Sequence, residues 1–206
     1  MNTNAFGSTK KLTGIAVLVA IIILLQAVFG AIPLGPFTIT LTMVPIVIGA
    51  ALYGPFIGAF LGAVFGIVVS IQVVTGAAGA GSTMMLEYQP VITIVVCIVK
   101  GLVAGLVAGL AVKSFGKKNL YVGIIAAAIL APLCNTGIFT IALVTIFRPL
   151  AEQWAQSTDA AAVASFIMVS IIGVNFVIEL TVDLILSPVI LRIIQAIRLN
   201  QGSSFQ

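Results

Sequence analysis

Apolar blocks long enough to cross a bilayer recur along the whole chain, and a chain so built has few folds open to it. In hydrocarbon every backbone N–H and C=O must be satisfied internally, which leaves helices or a closed barrel. Blocks of roughly 20 apolar residues fit helices rather than the shorter, alternating strands of a barrel. They run from about Leu12 to Phe29, Thr38 to Leu52, Phe56 to Val74, Pro90 to Val112, Leu120 to Phe147 and Ala161 to Ile194. With 61% apolar and 7% charged residues and no histidine, the chain cannot dress a water-soluble domain in a charged shell. The expected fold is therefore an all-α membrane protein, six transmembrane helices in one compact bundle formed by a single domain, residues 1–206. Pro132 and Pro188 are expected to bend or end the helices that contain them. Lys10 and Lys11 precede the first block as in a signal-peptide n-region. No A-x-A site follows, so the block reads as a span.

Basic residues set the orientation. With an even number of spans, Lys10, Lys11, Lys113, Lys117, Lys118, Arg192 and Arg198 share one side, which the positive-inside rule makes cytoplasmic. Both termini, residues 1–11 and 195–206, are then cytoplasmic tails. The opposite side carries Arg148 with Glu87, Glu152 and Asp159, in two extracellular loops at 75–89 and 148–160. These are longer than tight turns require, and their Gly, Ala, Ser and Gln content suits either mobile lids or ordinary variable loops.

Small residues at four-residue spacing let membrane helices approach closely. Ala16 and Ala20 form such a pair in the first span, Gly54, Gly58, Gly62 and Gly66 line the third, and Gly101, Gly105 and Gly109 line the fourth. The glycine stripes are expected to pack within the bundle. The alanine pair serves either that purpose or docking of another membrane protein.

Against this apolar background the few polar groups at depth stand out. A lysine at the bilayer centre costs about 2.5–3.5 kcal/mol on insertion scales, and such residues usually face a ligand or an ion path. Lys100 lies about 15 Å from the start of its helix at 1.5 Å per residue. Asn135 lies at comparable depth in the fifth span. Asn175, Glu179 and Asp183 share one face of the sixth, with Asp183 one turn nearer the cytoplasm. Polar groups from separate helices converging at one level are what a cavity for a small polar molecule needs. Alternatively, Lys100 and Glu179 form a structural ion pair while Asn135 and Asn175 bond across helices.

Several function classes are excluded or disfavoured. There is no G-x-x-x-x-G-K-[ST] phosphate loop, so the chain has no ATPase site of that type. Without histidine there is no Ser-His-Asp triad, Cys-His pair or H-E-x-x-H zinc helix, and no metal or cofactor is expected. Cys97 and Cys134 fall within apolar blocks and read as small hydrophobes. The basic residues follow topology rather than a nucleic-acid module. No inverted repeat relates the two halves.

Across nearly its whole length the chain resembles the substrate-binding S components of energy-coupling factor (ECF) vitamin transporters. The likeness rests on Ala16 and Ala20, on Val44-Pro45-Ile46, and on Gly54-Pro55-Phe56-Ile57-Gly58-Ala59-Phe60-Leu61-Gly62. It extends to Lys100-Gly101-Leu102, Cys134-Asn135-Thr136 and Asn175-Phe176-Val177-Ile178-Glu179. The resemblance implies a transport subunit in a bacterial cell membrane, not an enzyme. It would capture a vitamin from outside and work with a transmembrane T component and two cytoplasmic ABC ATPases that use the ATP. The S component would topple in the membrane to deliver its ligand. Ala16 and Ala20 match the motif by which the family docks to the T component.

The chain has a single tryptophan and three tyrosines, few for stacking a flat aromatic ligand. An aliphatic carboxylate with hydroxyl and amide groups suits it better. Lys100 would pair with the carboxylate, Asn135 and Asn175 would serve hydroxyl or amide groups, and Glu179, Tyr88 and Gln89 complete the expected binding set. The nearest likeness is the pantothenate branch, from which the chain departs in having Lys100 where that branch implies an arginine fork. Folate or another vitamin is an alternative ligand. A stand-alone ion-coupled carrier, with Glu179, Asp183 and Lys100 as a relay, is an alternative function.

Overall fold

The computed structural model describes residues 3–30, 32–34, 37–38 and 40–202. The protein is 87% helical. Helix α1 spans Thr3–Phe29 and leads into a short antiparallel hairpin, β1 (Pro33–Leu34) and β2 (Phe37–Thr38), in which Leu34 faces Phe37. Helix α2 (Met43–Tyr53) follows, then α3 (Pro55–Val74), α4 (Ala80–Tyr88), α5 (Pro90–Phe115), α6 (Leu120–Thr145) and α7 (Arg148–Ala155). The last stretch runs through α8 (Ala160–Phe166), a π-helical segment (Ile167–Gly173) and α9 (Val174–Gly202).

Local chemistry sets these boundaries. Gly54 adopts φ 95° between α2 and α3, a conformation costly for any residue with a Cβ, and Pro55 then opens α3 where its missing N–H is no loss. Pro90 opens α5 in the same way. Asn119 caps α6 by accepting from the Tyr121 amide at 2.9 Å, and Asp159 caps α8 by accepting from Ala162 at 2.9 Å. Pro132 and Pro188 do not end their helices: α6 and α9 continue through them. Neighbouring groups in a bundle can take up the backbone carbonyl that a proline leaves free.

Among the described residues, four helical stretches are long and apolar enough to cross a membrane: Thr9–Phe29, Pro55–Val74, Pro90–Phe115 and Leu120–Thr145. The expected second span is shorter than its apolar block, because Thr38 belongs to β2, residues 40–42 are irregular and α2 has only 11 residues. Helix α9 is long but carries Glu179, Asp183 and Arg192. The loops expected at 75–89 and 148–160 are largely helical, as α4 and α7. Large apolar side chains cover the outside, with Phe56 85% and Val91 74% exposed. Such a surface suits lipid and would promote aggregation in water.

The closest helix contact joins α3 to α5, which run antiparallel. A Cβ on Gly58 would strike the Gly105 carbonyl, one on Gly62 the Gly101 carbonyl, and one on Gly66 would come within 2.5 Å of the Cys97 carbonyl. Gly109 rests on Pro55. Both glycine stripes are thus consumed inside the bundle, except Gly54, which has no neighbour at its Cβ position and serves the α2–α3 junction instead. Buried alanines extend the close packing to α6 through Ala104, Ala108, Ala127, Ala128 and Ala131.

Candidate functional site

Helix α5 carries Lys100 one residue before Gly101, so the α3–α5 glycine contact fixes where its side chain emerges. The ammonium lies 5.1 Å from the Phe139 ring centre and 5.9 Å from that of Phe65, within cation–π range of both. Among the described residues no carboxylate approaches it within 4.0 Å; the ion pair formed is Arg148 with Glu152, at 2.8 Å on α7. The alternative of a direct structural pair between Lys100 and Glu179 is therefore not realised.

A cavity of about 70 Å³ opens beside Lys100. Asn135 and Thr136 line it from α6, and Thr93 and Cys97 from α5. Phe37, Thr38 and Thr40 contribute from the hairpin region, Ser82 and Met85 from α4, and Gln26 from α1. Asn135 is 4% exposed, and its Oδ1 has no hydrogen-bond partner among the described residues. A buried acceptor without a partner costs about 1–3 kcal/mol, so this atom awaits a donor. The lining thus offers one cation, amides and hydroxyls on an apolar frame, as small-molecule sites do.

Aromatic contacts roof the cavity. Phe37 stands edge-on to Phe139 at 5.1 Å and to Trp154 at 5.7 Å, and Trp154 donates from Nε1 to Met84 Sδ at 3.3 Å. Hairpin, α4 and α7 are thereby joined over the site. Helix α4 is tied down from below by the Thr93 hydroxyl, which lies 2.8 Å from the carbonyls of both Met85 and Gln89.

Residues 10–191 match the family model of the ECF transporter substrate-specific component. The chain belongs to this family. No curated protein matches the sequence. As an ECF substrate-specific component it is a membrane transport subunit that binds a substrate, not an enzyme, and it works with the T and ATPase partners of ECF transporters.

The other residues singled out in this ECF component fall into different places. Glu179 is fully buried on α9, acted on by the charges of Asp183 and Lys100 and faced by the Asn135 side chain. Neither of its oxygens has a hydrogen-bond partner among the described residues, nor has Asp183 Oδ2. Glu179 is not among the residues lining the cavity; Asn135 is. The Asn175 side chain lies outside the described residues. Tyr88 and Gln89 are exposed at the end of α4, and Tyr88 packs on Phe147 at 6.3 Å rather than lining the cavity. Ala16 and Ala20 are exposed on α1. The buried stripe of that helix is Leu18, Ile22 and Gln26, and a two-residue offset places the alanines about 200° around from it.

Sequence reasoning missed much of the lining. Gln26 carried a signal, since a glutamine in line with Leu18 and Ile22 at four-residue spacing sits on the face that packs. Phe37 and Phe139 carried none, because aromatic residues in apolar blocks look like any other core residue.

Proposed function

We propose that this ECF component captures a vitamin carrying a carboxylate, with pantothenate the best match, and hands it to the transport complex. The observation that supports this reading most is Lys100, an ammonium with no carboxylate within 4.0 Å among the described residues, opening into a roofed cavity with the unpartnered Asn135 Oδ1. A carboxylate beside Lys100 would supply the missing counter-charge, and hydroxyl or amide groups would satisfy Asn135. Asn175 would add a second amide from α9. Glu179 would contribute from behind Asn135, and Tyr88 and Gln89 would lie at the edge of the α4 lid. Folate, also a carboxylate, is the alternative ligand.

In this reading the chain crosses the membrane six times, through α1, α2, α3, α5, α6 and the α8–α9 stretch, with both termini cytoplasmic. Lys10, Lys11, Lys113, Lys117 and Lys118 then lie inside, and α4 and α7 outside. Ala16 and Ala20, turned away from the bundle, would dock the T component. The two ATPases would power toppling and reset.

Mass spectrometry of small molecules retained through purification tests the ligand, and reconstituted uptake tests the mechanism. Vitamin should be retained by the chain alone, with uptake requiring T component, ATPases and ATP. The buried pair Glu179 and Asp183, with unpartnered oxygens, favours one second reading, an ion-coupled carrier. Uptake by the chain alone on an ion gradient, indifferent to ATPases, would establish that instead.

A further inference from the structure

Helix α1 reaches the cavity through one polar side chain, Gln26, which is 2% exposed on an otherwise apolar buried stripe. Its bonding can be worked out atom by atom. Gln72 on α3 donates from Nε2 to the Gln26 backbone carbonyl at 3.0 Å. A carbonyl only accepts, so the Gln72 atom facing it must be nitrogen, and the other Gln72 amide atom must be oxygen. That oxygen accepts at 2.7 Å from Gln26 Nε2. The Gln26 amide is thereby fixed in orientation, with one of its two N–H donors given to Gln72. Its Oε1 is left over, buried, and has no hydrogen-bond partner among the described residues.

Gly30 makes this clamp possible. Its amide donates to the Gln26 carbonyl at 2.9 Å, and a Cβ there would collide with that carbonyl and with the amide nitrogens of Gln26 and Gln72. The local sequence therefore favours an arrangement that leaves an acceptor empty. A buried acceptor that cannot turn away is satisfied only by a donor brought to it.

We propose that Gln26 is a ligand-recognition residue, its Oε1 accepting a hydrogen bond from a hydroxyl or amide N–H of the bound vitamin. This rests on the vitamin reading above and adds a requirement to it: the ligand carries a neutral donor at the end remote from its acid. Gly101 packs against Gly62, about three turns from Gln72 along α3, so the backbones that carry Lys100 and Gln26 stand at levels roughly 15 Å apart while both side chains line the same cavity. A ligand joining the two is held at its charge by α5 and at its donor by α1. Selection by such a site is sharp, because an analogue lacking the donor leaves the clamped oxygen unpaired.

Purified full-length protein in lipid nanodiscs provides the test, with pantothenate, folate, riboflavin, thiamine and biotin titrated by calorimetry. For the vitamin that binds most tightly, analogues each lacking one hydroxyl or N–H are compared on wild type and Gln26→Met. Removing one particular donor should weaken wild-type binding by about tenfold, and Gln26→Met should weaken the parent vitamin by a similar factor. That one analogue should bind both proteins equally well. If parent and analogue lose affinity alike in the variant, or if neither loses any, the Gln26 assignment is overturned while the vitamin reading stands. If every analogue matches its parent on wild type, the assignment fails without reference to the variant. If wild type binds none of the five, the vitamin reading falls and the assignment with it.

Discussion

Gly62 and Gly101 meet backbone to backbone: a Cβ built on either one would run into the carbonyl oxygen of the other. Backbone cannot yield as the end of a flexible side chain can, so this contact sets the spacing of α3 and α5 and hence the position of Lys100. Gly62→Val or Gly101→Val should destabilise the protein by about 1–3 kcal/mol, the usual cost of overpacking, and lower ligand affinity as well. Gly54→Ala should act differently, since the space at its Cβ is empty and only its φ of 95° is strained. Thermal unfolding in detergent with a binding titration checks this. A Gly62→Val protein as stable as wild type, with unaltered binding, would mean that the helices can slide apart freely.

Lys100 has aromatic rings rather than carboxylates close to its ammonium. Lys100→Met keeps much of the apolar stem and removes the charge, so the fold should hold or gain slightly. Binding of a carboxylate ligand should weaken by about 1.5–3 kcal/mol, the scale of a hydrogen bond to a charged group. Calorimetry on both proteins at one ionic strength makes the comparison. Equal affinity would take the lysine out of the site.

The sequence made the helix blocks and the polar residues legible for the same reason: in lipid, an apolar run and a buried charge each have a single economical explanation. Lys100 and Asn135 could be picked out because nothing else in their blocks resembles them. The roof over the cavity was not legible. Phe37, Phe139 and Trp154 come from three distant segments and meet only after folding, and helices as short as α4 and α7 are held by tertiary contacts such as Thr93 with Met85. Composition alone made those segments look like loops. Tyr88 and Gln89 were placed near the lid, yet the helix end that holds them turns them outward. The Gln26 clamp depends on Gln72, 46 residues away, and pairing at that distance leaves no local trace.

Ala16 and Ala20 lie on the exposed side of α1, the least buried of the four long apolar stretches at 17% against 44% for α3. A large side chain there meets nothing inside the protein. Ala16→Trp should therefore leave stability and ligand capture as they are while blocking close approach of a partner helix. Co-purification with the T component and ATPases should fall severalfold, and ATP-dependent uptake with it. If the complex assembles and transports normally, docking must use another face.

Glu179 separates two roles by the sign of its effect. It is buried behind Asn135, away from the cavity lining, and its carboxyl oxygens stay beyond 4.0 Å of the Lys100 ammonium. When ionised, Glu179 opposes an incoming carboxylate, and at an effective dielectric near 20 two charges several ångströms apart interact by more than about 1 kcal/mol. Glu179→Gln removes that opposition while keeping size and shape, so at alkaline pH an anionic vitamin should bind the variant about three- to tenfold more tightly, and the gain should fade as the pH falls and the carboxylate takes up its proton. A neutral analogue of the vitamin should show no gain. Direct acceptance of a ligand hydroxyl by Glu179 gives the reverse, weaker binding of parent and neutral analogue alike. Titrating both ligands against wild type and Glu179→Gln decides between a carboxylate that touches the vitamin and one that only tunes the lysine.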